Sequence, residues 1–222
     1  MRCLITAGPT YENLDAVRRL TNFSTGRLGT LLANHLVQRG HHVTLLIGYY
    51  STWRGECHAD KVHVFTTTTD LAQQLRRASR QRMDAVFHAA AVSDFGFGGV
   101  YQRRPDGGLR RIRSGKFTTR AGSLLAELVP TPKLIASLRD WFPKAVVVGW
   151  KYEVEGKREE VLNKARAQVR ANRTDACVAN GPAYGRGFGL VEAGGIWQHT
   201  GTERLLFRRL EEKGGMGATE QA

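Results

Sequence analysis

Four segments of this 222-residue chain combine residue types at spacings that could do chemistry. The first is Leu4-Ile-Thr-Ala-Gly-Pro-Thr-Tyr-Glu12, followed by Asp15-Ala-Val-Arg18. Its apolar run stops at Gly8-Pro9, where a buried strand would end and a ligand-facing loop begin. A plain strand-to-loop turn explains the same residues. The second is Thr21-Asn-Phe-Ser-Thr-Gly-Arg-Leu-Gly29, leading into a helix. Unpaired N–H groups at a helix start attract an anion, and Gly26 would let a phosphate approach the backbone. Ser24, Thr25 and Arg27 could add donors. An ordinary helix capped by Ser24 or Thr25 fits equally well, and the spacing is neither GxGxxG nor a Walker A loop. The third is Phe87-His-Ala-Ala-Ala-Val-Ser-Asp94. Its alanines leave room for a flat group such as a base or ribose, and Asp94 could accept hydrogen bonds or hold Mg²⁺. His88 reads as a core residue. The fourth runs from Arg103 to Arg120, with seven Lys and Arg against Asp106 alone, a local charge of +6. Such a loop could close over a polyanion, stay solvated, or touch nucleic-acid phosphates.

Positioning these segments requires alternating strands and helices. Apolar runs predict strands over 2–7, 42–47, 62–66, 84–89, 145–150 and 176–179. Residues 189–192 and 196–199 suit a terminal hairpin. Helical spacing marks 26–40, 70–82, 134–141, 158–171 and 202–212. The alternation predicts an α/β fold: a Rossmann-like domain over 1–213 on a parallel sheet. Residues 95–120 are rich in Gly and Arg without apolar periodicity. They read as a structureless insertion, a mobile lid or dimerisation region. Residues 214–222 read as a disordered tail.

Composition narrows the setting. Hydrophobic residues make up 41% and charged residues 24%, ordinary for a globular protein. No apolar run reaches the ~18 residues of a membrane span, and the N-terminus is too quickly polar for a signal peptide. Cys3, Cys57 and Cys177 form no CxxC pair, which disfavours a disulfide framework or thiolate zinc site and fits the cytoplasm. The net charge of +13 calls for anionic partners.

Six motifs occur in one order: Ile5-Thr-Ala-Gly-Pro-Thr-x-Glu-x-x-Asp15-x-Val-Arg18, Asn22-x-Ser-Thr-Gly-x-x-Gly29, Ala90-Ala-Val-Ser-Asp94, Thr131-Pro-Lys-Leu-Ile135, Val148-Gly-Trp-Lys-Tyr-Glu153 and Asp175-x-x-Val-Ala-Asn180. In these the chain resembles the phosphopantothenoylcysteine synthetase family of coenzyme A biosynthesis, most closely its free-standing bacterial type. The resemblance implies a ligase for 4′-phosphopantothenate and L-cysteine. It implies CTP, or ATP, as co-substrate, with Mg²⁺, an acyl-nucleotide intermediate and a homodimer, and neither nucleic acid nor membrane as partner. By motif position, Asn22 and Arg18 match catalytic residues, Ser24, Thr25 and Gly26 fall where the family cradles phosphate, and Gly8 is a further cofactor-binding position. Ala90, Ala91, Asp94, Pro132, Lys133, Leu134 and Trp150 fall where it meets the nucleotide. The family's lid lysines appear as Arg111 and Arg113, and Lys164, Arg166 and Arg170 are the nearby candidates for its triphosphate-binding helix lysines. No metal ligand is assigned. A nicotinamide oxidoreductase is the runner-up reading, but no GxGxxG follows the first strand and no acid ends the second.

Overall fold

The computed structural model describes residues 1–118, 120 and 122–219. In chain order its elements are β1 (Arg2–Ala7), β2 (Tyr11–Asn13), β3 (Arg19–Thr21), α1 (Arg27–Gln38), β4 (His42–Gly48), β5 (Lys61–Phe65), α2 (Thr68–Ala78), β6 (Ala85–His88), β7 (Phe95–Arg103), β8 (Leu109–Ile112), β9 (Leu124–Pro130), α3 (Leu134–Trp141), β10 (Val146–Tyr152), α4 (Arg158–Asn172), β11 (Ala176–Asn180), β12 (Phe188–Glu192), β13 (Trp197–Thr200) and α5 (Glu203–Thr219).

An eight-stranded sheet runs β13-β12-β11-β10-β6-β1-β4-β5. The strands from β11 to β5 are parallel, and the β12–β13 hairpin adds antiparallel at one edge. The expected α/β Rossmann-like fold is therefore present. Strands β1, β6 and β10 read as continuous apolar runs because helices cover both faces. Alternate side chains part accordingly. Cys3, Ile5, Ala85, Phe87, Val146 and Val148 pack in one core with α1 and α5. Leu4, Val86 and Val147 pack in another, against α2 and α3.

Two expectations are corrected. The stretch from Phe95 to Arg120 is not structureless: β7 and β8 fill much of it and pair with β9 in a separate three-stranded antiparallel sheet. The last helix continues through Thr219, so residues 214–219 do not form a disordered tail; 220–222 lie outside the described residues. A small hairpin, β2 with β3, was not foreseen either.

Candidate active site

Following the parallel strands, the chain builds outward from β1 through β4 to β5, then returns to lay β6 on the other side of β1. The loops leaving the C-terminal ends of β1 and β6 therefore flank the switch point, the place where an open α/β sheet sets its ligand crevice. On the α1 side, Gly8 and Gly26 both adopt left-handed backbone, with φ of 77° and 78°. A Cβ on either would run into Ser51 Oγ, a buried atom with no hydrogen-bond partner among the described residues. Gly26 is the N-cap of α1, and no side chain caps it. This corrects the capping expectation for Ser24 and Thr25. Thr25 Oγ1 accepts only from the Arg27 N–H, at 3.3 Å. The helix start is left uncapped by any side chain and has no acid in its first turn, which suits an anion.

The β6 side is pinned to β1 by hydrogen bonds. The Ala91 N–H donates to the Gly8 carbonyl at 2.9 Å, and the Thr10 N–H donates to the Ala91 carbonyl at 3.1 Å. Thr10 Oγ1 accepts from the Ser93 N–H at 2.8 Å. Asn22 Nδ2 donates to the Ala91 carbonyl at 3.2 Å, which brings the exposed Asn22 over the junction. Ala90 and Ala91 are half-buried beneath it. Asp94 is exposed and ion-paired with Lys133 at 2.7 Å. Pro132 is exposed beside that pair, but Leu134 is buried in the core against α2, so it supports the wall rather than facing the crevice. His88 shares a 2.8 Å hydrogen bond with Thr6 Oγ1. Burial pushes its imidazole down to about 4, so it is neutral near pH 7.

The third wall comes from β10 and β11. Trp150 packs against the α1-side core, and its Nε1 is buried without a hydrogen-bond partner among the described residues; so is Asn180 Oδ1 on the next strand. Orphaned polar atoms at strand ends are features a ligand would satisfy. Lys164 is tied to Glu153 at 2.6 Å, and Lys151 reaches the same carboxylate at 3.1 Å. The hydrogen bond from Lys164 leads in holding the Glu153 carboxyl below its ordinary range, with Lys151 adding to it. Sequence spacing did not single out Lys151 or Ser51; their placement depends on strand register and on a loop packed under two glycines.

Arg18 is committed to a clasp. It pairs with Asp15 at 2.6 Å and donates to the Phe117 carbonyl at 3.1 Å. Asp15 also accepts from the N–H groups of Val17, Arg18 and Phe117. Desolvation opposes ionisation of Asp15, but these N–H groups and the Arg18 guanidinium outweigh it and lower its carboxyl below the usual range. The turn before β3 is thereby tied to the segment following β8. Arg111 and Arg113 are exposed there, with no ion pair to any described residue.

Fold and topology together define a Rossmann-type domain with its loops gathered at the switch point of a parallel sheet. The chain belongs to the DNA/pantothenate metabolism flavoprotein C-terminal domain family, whose model matches residues 1–204. This bears out the resemblance carried by the six motifs. It is similar to the coenzyme A biosynthesis bifunctional protein CoaBC of Thermococcus kodakarensis, 33% identical over 179 residues, covering 81% of this chain and 41% of that protein. The chain spans less than half the length of the curated relatives it matches. Its fold is similar to the DNA/pantothenate metabolism flavoprotein of Streptococcus pneumoniae, with a TM-score of 0.80, 23% identity and coverage of 96% of this chain and 97% of that one. A Cab2 mutant in complex with phosphopantothenate-cysteine aligns with a TM-score of 0.75 and 20% identity, over 99% of this chain and 88% of that one.

Proposed function

We propose that this chain is a phosphopantothenate–cysteine ligase. The observation that carries the reading is the convergence of the family's motifs on one switch-point crevice: Gly8 and Gly26 on one lip, Ala90, Ala91 and Asp94 on the other, with Asn22 bridging them. In the proposed reaction, a carboxylate oxygen of 4′-phosphopantothenate attacks the α-phosphorus of a nucleoside triphosphate, CTP by preference, and pyrophosphate leaves. The cysteine amine then attacks the acyl carbon, losing a proton, and the nucleoside monophosphate leaves.

The difficulty is bringing two anions together, which calls for fixed cations and dipoles. The start of α1, with Ser24, Thr25 and Gly26, receives phosphate. Ala90, Ala91 and Pro132 floor the nucleoside side, and Trp150 offers it an aromatic face. The Asn22 amide sits where it can hold the acyl-nucleotide for attack. Lys133 holds Asp94 at the crevice mouth, and Lys151 and Lys164 add positive charge deeper in. Arg111 and Arg113 extend the three-stranded sheet's edge as cations for a closing lid, with Arg18 anchoring its root rather than touching substrate.

Mg²⁺ suits this donor set. The described residues hold no group of three or more His, Cys, Asp or Glu able to cage a metal, and Mg²⁺ binds through one or two carboxylates plus substrate phosphates. In this reading Asp94, now paired with Lys133, would turn to hold it. When bound, the ion would neutralise triphosphate charge. A homodimer fits the fully exposed Phe23 and the exposed Val17 and Leu20, which a second copy would cover.

Incubation with phosphopantothenate, cysteine, Mg²⁺ and each of CTP, ATP, GTP and UTP tests the reading. Mass spectrometry is expected to find phosphopantothenoylcysteine, most with CTP. Its absence with every nucleotide would overturn the assignment.

A further inference from the structure

A cleft of about 780 Å³ lies between α1 and α5, lined by His35, Gln38, Arg39, His41, Arg204 and Arg208 among others. Met1 and His41 on its wall precede β1 and β4, so it opens at the N-terminal edge of the sheet, the opposite end from the crevice. A smaller cleft of about 490 Å³ shares His35, Gln38 and Arg204 with it and continues along the same seam. The volume suits a metabolite-sized ligand.

The charges of this cleft are unequally satisfied. Glu211 accepts from His35 Nε2, His41 Nε2 and Arg39 Nε, each at 3.1 Å, and these contacts help keep its carboxyl ionised although burial opposes it. Glu212 is taken by Arg209 at 3.0 Å. Arg204 and Arg208 have no ion pair or hydrogen bond to any described residue. They sit four residues apart on α5, while Leu206, Phe207 and Leu210 turn into the core. That spacing puts two guanidinium forks side by side, about 5–6 Å apart at their Cβ atoms. Guanidinium forks match phosphate oxygens in pairs, and Gln38 lies across the gap as a further donor, while His35 and His41 hold Glu211.

We propose that this cleft is a second binding site, for a small anion carrying two or more phosphoryl groups gripped by Arg204 and Arg208. It is separate from the crevice and does not depend on the ligase reading. The α1–α5 seam also links the two ends of the molecule: Arg27, in the first turn of α1, is bonded through both guanidinium NH groups to Glu203 of α5, one of them at 3.0 Å.

The test is calorimetric titration of the full chain with inorganic tripolyphosphate and, separately, with fructose 1,6-bisphosphate. Hydrogen–deuterium exchange locates the binding. The expected result is protection of peptides covering 35–41 and 204–211 by at least one probe, and the tighter probe tells inorganic from organic phosphate. R204A/R208A is expected to weaken that binding about tenfold or more. R77A/R80A removes the same charge from the end of α2 and the turn that follows it, and is expected to leave it unchanged. Equal binding by wild type and R204A/R208A, equal weakening in both double variants, or protection elsewhere only would overturn the proposal. The exchange measurement on the wild type decides the matter even if a variant folds poorly.

Discussion

At the residue scale, the crevice depends on side chains held by unusual local demands. Asn22 reaches the Ala91 carbonyl from a short hairpin, so its amide can turn to a ligand without moving the sheet. Asn22→Ala is expected to slow capture of the acyl-nucleotide by cysteine about 100-fold, with less effect on pyrophosphate release. Rapid-quench kinetics separates the steps, and equal slowing of both would contradict the role. His88 is buried and neutral, bonded to Thr6 under the crevice floor. Its folded pKa of about 4 lies below the usual 6.5, so the unfolded chain binds the extra proton first. Stability should therefore fall as pH drops from about 6.5 toward 4, by roughly 3 kcal/mol for this group. Denaturant midpoints across that range should show the loss, and His88→Gln should remove much of the slope.

Elements were legible where one physical signal dominated. β1, β6 and β10 announce themselves because both faces are buried, and α3 matches its expected bounds because Leu134 and Leu138 repeat at helical spacing against a core. The β7–β9 sheet was illegible for a physical reason. β7 carries Gly96, Gly98 and Gly99, β8 is almost wholly exposed, and their pairing with β9 is set by distant partners, not by alternation. Site residues were legible as motifs, while their state was not. Arg18 stood out, but only the fold reveals its tie to Asp15 and Phe117. That clasp makes a prediction. The lowered carboxyl of Asp15 contributes stability above the ordinary carboxylate range, lost as pH falls through its folded pKa. Asp15→Asn should loosen the clasp at neutral pH, read as faster amide exchange over 113–118. Unchanged exchange would remove Asp15 as the anchor.

Across the whole molecule, the net charge of +13 divides into parts with different duties. The +6 of residues 103–120 is shared between the antiparallel sheet, which carries Arg103, Arg110 and Arg111, and the segment after β8, which is clasped to the turn before β3, so a polyanion lid is the proposed use. Arg204 and Arg208 border a separate cleft at the far edge of the sheet. The scaffold between them is a parallel sheet, which followed from strand–helix alternation alone, whereas its strand order and switch point are seen only in the fold. In the proposed reaction the crevice activates a carboxylate at the expense of a nucleoside triphosphate. Single-turnover pyrophosphate release with phosphopantothenate, CTP and Mg²⁺, before cysteine is added, tests it most directly. A burst close to one pyrophosphate per site, becoming multiple turnover once cysteine is supplied, is the predicted result. Failure to release pyrophosphate with any of the four nucleotides, with or without cysteine, would contradict it.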